Sequence, residues 1–235
     1  MDLLERLAED PSRAGLFVDV DGVLAPIVAR PEDATVPEET RIELRRLNAR
    51  YALVACISGR AGDDARRIVG VPDLTYVGNH GLELDPESDS WAVRLRAFLS
   101  GVAWDEVEDK HLSASLHYRN AEDEAGARAD LEMIAERARA AGFVARFGRK
   151  VLEVLPPLEA NKGTAVRRLL VEHELERALY AGDDTTDLDA FAALEPLEVG
   201  IRVAVASSDG PADLRAAADL VIENPAEFLD LLRRL

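Results

Sequence analysis

The chain has 235 residues, 48% of them hydrophobic and 31% charged, enough apolar mass for one large domain or a core with a smaller companion, which excludes global disorder. Its formal charge of −17 argues against a nucleic-acid backbone or an anionic membrane as partner, because both need clustered Lys and Arg. A phosphorylated small molecule remains compatible, provided a few cations and a metal are focused at one site.

Residues 1–14 read as a short amphipathic helix or arm. Leu16-Phe17-Val18 is a short apolar run with β-branched and aromatic character, the mark of a buried strand, and it ends in Asp19-Val20-Asp21-Gly22. Residues 37–49 predict a helix, with Pro at the start, Glu38 and Glu39 in the first turn, and Ile42, Leu44 and Leu47 at apolar positions. Residues 51–57 form a second strand ending in Ser58-Gly59-Arg60, and 63–69 a second helix. Residues 74–77 form a third strand ending in Gly78-Asn79-His80-Gly81. Strand and helix alternate, which predicts a doubly wound parallel α/β sheet of the Rossmann-like kind. The single cysteine, Cys56, lies in the second strand as a core residue and excludes an intrachain disulfide.

The rhythm then changes. Residues 85–90 are a polar, turn-rich linker. Beyond it the pattern predicts a helix over 91–101, strands over 102–107 and 112–118, a long helix over 121–141, and strands over 143–147 and 151–155. Consecutive strands without intervening helices imply antiparallel hairpins, so this block reads as an inserted α+β cap domain spanning 87–157 between core segments 1–86 and 158–235. Alternation then resumes: helix 164–174, strand 178–181 ending in Gly182-Asp183-Asp184-Thr185-Thr186-Asp187, helix 188–194, strands 199–205 and 220–222, and a closing helix 225–235. No apolar stretch reaches membrane-span length, and the start MDLLERLAED lacks the basic head and apolar core of a signal peptide. A cytoplasmic monomer is the default expectation.

Four chemical signals sit just past strands or at helix starts. Asp19 and Asp21 are two apart, so in extended backbone both point to one side. Carboxylates that close repel by roughly 4 kcal/mol at 4 Å and an effective dielectric near 20, and a hard divalent cation such as Mg²⁺ relieves this. An Asp-Gly turn closing a strand explains the same residues. The hydroxyl of Ser58 and the backbone N–H groups beside it can hold a phosphate oxygen, or serve as an ordinary helix cap. Lys162, at a helix start, is a compact charge suited to a phosphate, or a surface lysine. Asp183, Asp184 and Asp187 are costly at one strand end without a cation, although the helix macrodipole also favours acids there.

In this order and context the four signals resemble the haloacid-dehalogenase-like phosphohydrolases, whose core carries an Asp-x-Asp motif, a Ser or Thr, a Lys and a terminal acidic motif. The resemblance narrows to the trehalose-6-phosphate phosphatase family through residues 19–27, 57–60, 78–83, 108–110, 116–119, 151–154, 161–163 and 182–187. It implies that Asp19 is the nucleophile and Asp21 the general acid and base. It also implies that Mg²⁺ is held by Asp19, Asp21 (through its carbonyl) and Asp183, with Asp187 orienting the bound waters, and that Ser58 and Lys162 hold phosphoryl oxygens. Gly59, Arg60, Asn79, His80 and Asp184 are expected to face substrate.

In the insert, Glu108 and Lys110 are two apart, as are His117 and Arg119, while Arg149 and Glu153 are four apart. If these stretches are strands, each pair shares a face that can hydrogen-bond sugar hydroxyls, or is simply solvated. The resemblance favours sugar binding, with cap closure about hinges near Pro86 and 156–160 expelling water. Three rivals remain: a phosphatase for another sugar phosphate (glycosyl-phosphoglycerate or sucrose phosphate), a phosphate-transferring mutase, and a non-catalytic sugar-phosphate-binding subunit.

Overall fold

A computed structural model describes residues 2–28, 30–206 and 210–235. In chain order the elements begin with α1 (Leu3–Ala8), β1 (Ala14–Val18), α2 (Glu38–Asn48), β2 (Leu53–Ile57), α3 (Gly62–Val69) and β3 (Thr75–Val77). Then come α4 (Ser88–Leu99), β4 (Val107–Asp109), β5 (Ala114–His117), α5 (Glu124–Ala140), β6 (Val144–Gly148) and β7 (Val151–Leu155). The chain closes with α6 (Lys162–Glu172), β8 (Arg177–Gly182), α7 (Leu188–Ala193), β9 (Val199–Val205), α8 (Ala212–Ala217), β10 (Leu220–Ile222) and α9 (Pro225–Arg234).

Two compact units result, one of Met1–Gly81 with Ala160–Leu235, the other of Leu82–Glu159. The first is built on a parallel sheet in the order β10-β9-β8-β1-β2-β3. All five residues of β1 and of β2 are buried, as a strand covered on both faces requires, which is why these strands read as continuous apolar runs. Register sets where the strands stop. Val18 stands opposite Cys56 on one side and Ala181 on the other, so the carboxyl ends of β1, β2 and β8 finish level. The strand order reverses between β1 and β8, and a crevice opens at such a switch point.

The second unit is an antiparallel sheet in the order β4-β5-β7-β6. Its inner face carries Leu116, Leu152 and Val154, which join Trp91 and Leu95 of α4, Leu131 and Ala135 of α5, and Phe143 in one buried cluster. Trp91 meets Phe143 edge-on, with ring centroids 5.2 Å apart.

Two local expectations shift, and one helix lies outside the sequence pattern. Residues 102–106 form no strand. Trp104 instead turns inward to donate its indole N–H to the His117 carbonyl at 2.8 Å, and Val102 packs on the same core, so the apolar content there serves a packed loop. The helix expected from 91 starts at Ser88, inside the supposed linker. Helix α8, for which the sequence pattern gave no expectation, starts after Pro211 with Asp213 in its first turn, a start signal present but short.

Candidate active site

The site is built from residues that lie one step beyond the level strand ends. Asp19 follows β1, and its N–H donates to the Ala181 carbonyl of β8 at 2.9 Å. Lys162 stands in the first turn of α6, whose start is fixed by a capping box: Thr164 N–H donates to Asn161 Oδ1 at 2.8 Å, and Asn161 N–H to Thr164 Oγ1 at 2.9 Å. From there the buried Lys162 ammonium donates to Asp19 Oδ2 at 2.5 Å and to Asp187 Oδ1 at 2.7 Å.

Asp187 is fully buried and saturated with donors. Oδ1 also accepts from the Tyr180 hydroxyl at 2.7 Å, and Oδ2 accepts the N–H groups of Asp183 and Asp184, each at 3.0 Å. Gly182 makes this possible, because a Cβ there would lie 2.2 Å from the Asp187 carboxyl carbon. Gly22 does the same for Asp183. Its backbone is left-handed (φ +76°), and a Cβ on it would lie 2.1 Å from Asp183 Oδ2.

Carboxylate oxygens of Asp19, Asp183 and Asp187 therefore come within 4.8 Å of one another. With all three ionised, three carboxylates face one ammonium, an excess of two negative charges. The titration behaviour reflects it. Burial, together with repulsion from Asp19 and Asp187, pushes Asp183 up to about 8. Burial raises Asp19 to about 7, Lys162 pulling against it and Asp187 adding to it. For Lys162, burial works against the charge, but the two carboxylates outweigh it and hold its pKa above the ordinary lysine value. An oxygen-only donor set short of two positive charges fits a hard divalent cation.

Asp21 and Arg60 make a second cluster. The Arg60 guanidinium grips Asp21 with both arms, at 2.6 and 2.8 Å, and is itself held by Asp64 at 3.0 Å. Arg67 holds the other Asp64 oxygen at 2.6 Å. Ser58 is buried, its hydroxyl accepting from Arg60 N–H at 3.2 Å. The loop after β3 folds back on this turn, with Asn79 N–H donating to the Arg60 carbonyl and His80 N–H to that of Ser58. Asn79 and His80 both sit in the left-handed region, a cost these bonds offset.

A cleft of about 670 Å³ opens over these ends, lined by Asp19, Asp21, His80, Lys162, Asp183 and Asp184 among others. Ser58, Arg60, Asn79 and Asp187 stand around it as supports; Gly59 lines it.

On the second unit, cross-strand register sets Glu108, Ser115, Glu153 and Arg146 in one row on the face away from the core. His117 lies two residues beyond Ser115 on that face. Its Nε2 is 3.2 Å from Glu108, its Nδ1 3.4 Å from Arg119, and Lys110 is 3.5 Å from Glu108. Arg149 and Glu153 do not share a strand face. Arg149 sits in the β6–β7 turn, and the residue that faces Glu153 is Arg146, whose Nε donates to it at 2.7 Å. Spacing along the chain could not reveal Arg146, because the partner is set across strands. Tyr180 also escaped the sequence reading, being one apolar residue among several in a buried strand.

Among the described residues no helix is long and apolar enough to cross a membrane. The fold matches solved structures. One titled a trehalose-6-phosphate phosphatase related protein aligns with a TM-score of 0.68 at 22% identity, over 93% of this chain and 95% of that one. A haloacid dehalogenase-like hydrolase from Bacteroides thetaiotaomicron aligns with a TM-score of 0.60 at 15% identity, over 94% and 98%. At sequence level, the trehalose-phosphate phosphatase of Mycobacterium ulcerans is 34% identical over 248 residues, covering 95% of this chain. The chain spans 61% of that relative's length. The trehalose-phosphatase family model matches residues 17–104 and 100–220, a stretch that runs from β1 to β10 and takes in the carboxylate cluster, Lys162 and the polar sheet face, so the chain belongs to the trehalose-phosphatase family.

Proposed function

We propose that this chain is a Mg²⁺-dependent phosphatase that hydrolyses trehalose 6-phosphate to trehalose and phosphate through an aspartyl-phosphate on Asp19. The observation that carries the reading is Asp19 itself: a buried carboxylate, held by Lys162 beside Asp183, facing the cleft. Family membership and the printed names of the relatives favour the disaccharide phosphate over other sugar phosphates.

In this mechanism an Asp19 oxygen attacks phosphorus. The bond from phosphorus to the sugar oxygen breaks as Asp21 gives that oxygen a proton, leaving a mixed anhydride on Asp19. Asp21 then takes a proton from a water that attacks the same phosphorus, releasing phosphate and restoring the Asp19 carboxylate. Lys162, anchored on Asp187, fixes the orientation of Asp19 and places positive charge beside the phosphoryl oxygens. Ser58 stands at the end of β2 to meet the same oxygens. Arg60, spent on Asp21 and Asp64, orients Asp21. The carboxylates of Asp19 and Asp183, with the Asp21 carbonyl, would hold Mg²⁺, which when bound neutralises charge on the phosphoryl group.

Sugar recognition falls to the polar face of the second unit, through Glu108, Lys110, His117, Glu153 and Arg146. Within the core, Asn79 and His80 border the phosphoryl end.

The test is phosphate release from trehalose 6-phosphate, against sucrose phosphate and a glycosyl-phosphoglycerate, with and without EDTA. Trehalose 6-phosphate is expected to give the highest kcat/KM, and EDTA to abolish turnover. Asp19→Asn should fold and lose activity by about 10³-fold or more. Transfer of phosphate to a second sugar hydroxyl, with none released, would instead make the chain a mutase.

A further inference from the structure

Asp187 presents a conflict. Its carboxylate is close enough to those of Asp19 and Asp183 to join a shared cation. Yet a carboxylate has about four acceptor positions, and all four are taken: by Lys162 and Tyr180 on one oxygen, and by the N–H groups of Asp183 and Asp184 on the other. Three of these donors belong to groups that have another part in the site. The two N–H groups belong to the turn that carries Asp183, and Lys162 serves Asp19. Tyr180 is the exception. Its ring is fully buried in β8, set edge-on against Phe191 at 6.1 Å, and its hydroxyl points at Asp187 and takes no part in phosphoryl transfer.

We propose that Tyr180 is a positioning residue: by filling the last acceptor position of Asp187, it keeps that carboxylate as the anchor of Lys162 and limits the cation to two carboxylates. The proposal rests on the reading of this site as one for a divalent cation. Its consequence is ion selectivity. Mg²⁺ demands octahedral geometry, keeps several waters and is typically bound by one or two carboxylates, whereas Ca²⁺ accepts six to eight oxygens at longer distance. A site whose third carboxylate is within reach but already occupied favours the smaller ion. Removing the hydroxyl frees one position on Asp187 Oδ1, which a larger ion can then use.

Tyr180→Phe keeps the ring and its contact with Phe191 and deletes only the donor. Mg²⁺ and Ca²⁺ are titrated separately into the full wild-type chain and the variant by calorimetry, with circular dichroism to verify folding. The affinity for Ca²⁺ relative to Mg²⁺ should rise about tenfold in the variant, the size of effect seen when residues behind metal ligands are changed. An unchanged ratio, with Mg²⁺ binding intact, overturns the proposal and leaves the phosphatase reading standing. Wild-type protein that binds neither ion overturns both. Should Tyr180→Phe fail to fold, Asp187→Asn decides. Mg²⁺ binding within about tenfold of wild type, against its loss in Asp183→Asn, supports the proposal; equal loss in both variants overturns it.

Discussion

Asp183 shows how a site stores cost for function. It is pressed against Gly22 and sits near two other carboxylates. Unit charges about 4 Å apart repel by roughly 4 kcal/mol at an effective dielectric of 20, a cost that partial protonation softens. Asp183→Asn should therefore raise the melting temperature in EDTA, by an amount corresponding to about 1–2 kcal/mol, while abolishing Mg²⁺ binding; paired thermal melts with and without metal would measure both. Asp219 is the opposite case. Arg202 donates to it three times, through N–H at 2.8 Å, Nε at 2.9 Å and Nη2 at 2.7 Å, and these bonds hold its pKa below the ordinary 3.8. A carboxylate with a depressed folded pKa contributes stability above its unfolded pKa and loses it as pH falls through the folded one. Asp219→Asn should then cost about 0.5–1 kcal/mol at pH 7, and the difference from wild type should close below about pH 4 in denaturant titrations.

Among the elements, the strand ends carry the carboxylate cluster, and the antiparallel sheet carries a polar face. β1, β2 and β8 are held level by their register, which brings Asp19, Ser58 and Asp183 to one edge of the sheet, and Gly22 leaves room for the Asp183 carboxylate. In the second unit, pairing of β6 with β7 puts Arg146 against Glu153 and leaves Arg149 in the turn. Arg146→Ala should raise KM for trehalose 6-phosphate about tenfold, and Arg149→Ala much less. Hydrolysis of a small aryl phosphate should be unchanged in both. The double change at Glu108 and Glu153 should act on the disaccharide in the same selective way; equal loss of both substrates would remove the polar face from sugar binding.

For the whole molecule, the excess negative charge at one cleft would couple the binding of a divalent cation to stability. A ligand that binds only the folded state stabilises it by about 2.7 kcal/mol at a hundred times its Kd. For a chain of this length that is a rise in Tm on the order of 5 °C. Saturating Mg²⁺ should produce such a rise in a calorimetric scan, and Asp183→Asn should remove it.

Much of this architecture is legible in the sequence. Buried parallel strands must be continuous apolar runs, and the turns after them must carry the chemistry, so the parallel core, the inserted α+β block and the acidic, Ser and Lys positions can be read in order from one chain. Short-range rules falter where an apolar residue packs without pairing, as Trp104 does, and where a short helix gives the core a single side chain, as α8 does with Leu214. What the sequence determined by itself was which residue types stand at which strand ends, because periodicity and turn chemistry act over a few neighbours. What only the tertiary structure decided was who meets whom: Arg146 rather than Arg149 on Glu153, Arg60 on Asp21, and Tyr180 on Asp187. Those partners come from strand pairing and close packing between segments as far as 39 residues apart for Arg60 and Asp21, distances over which local propensity carries no information.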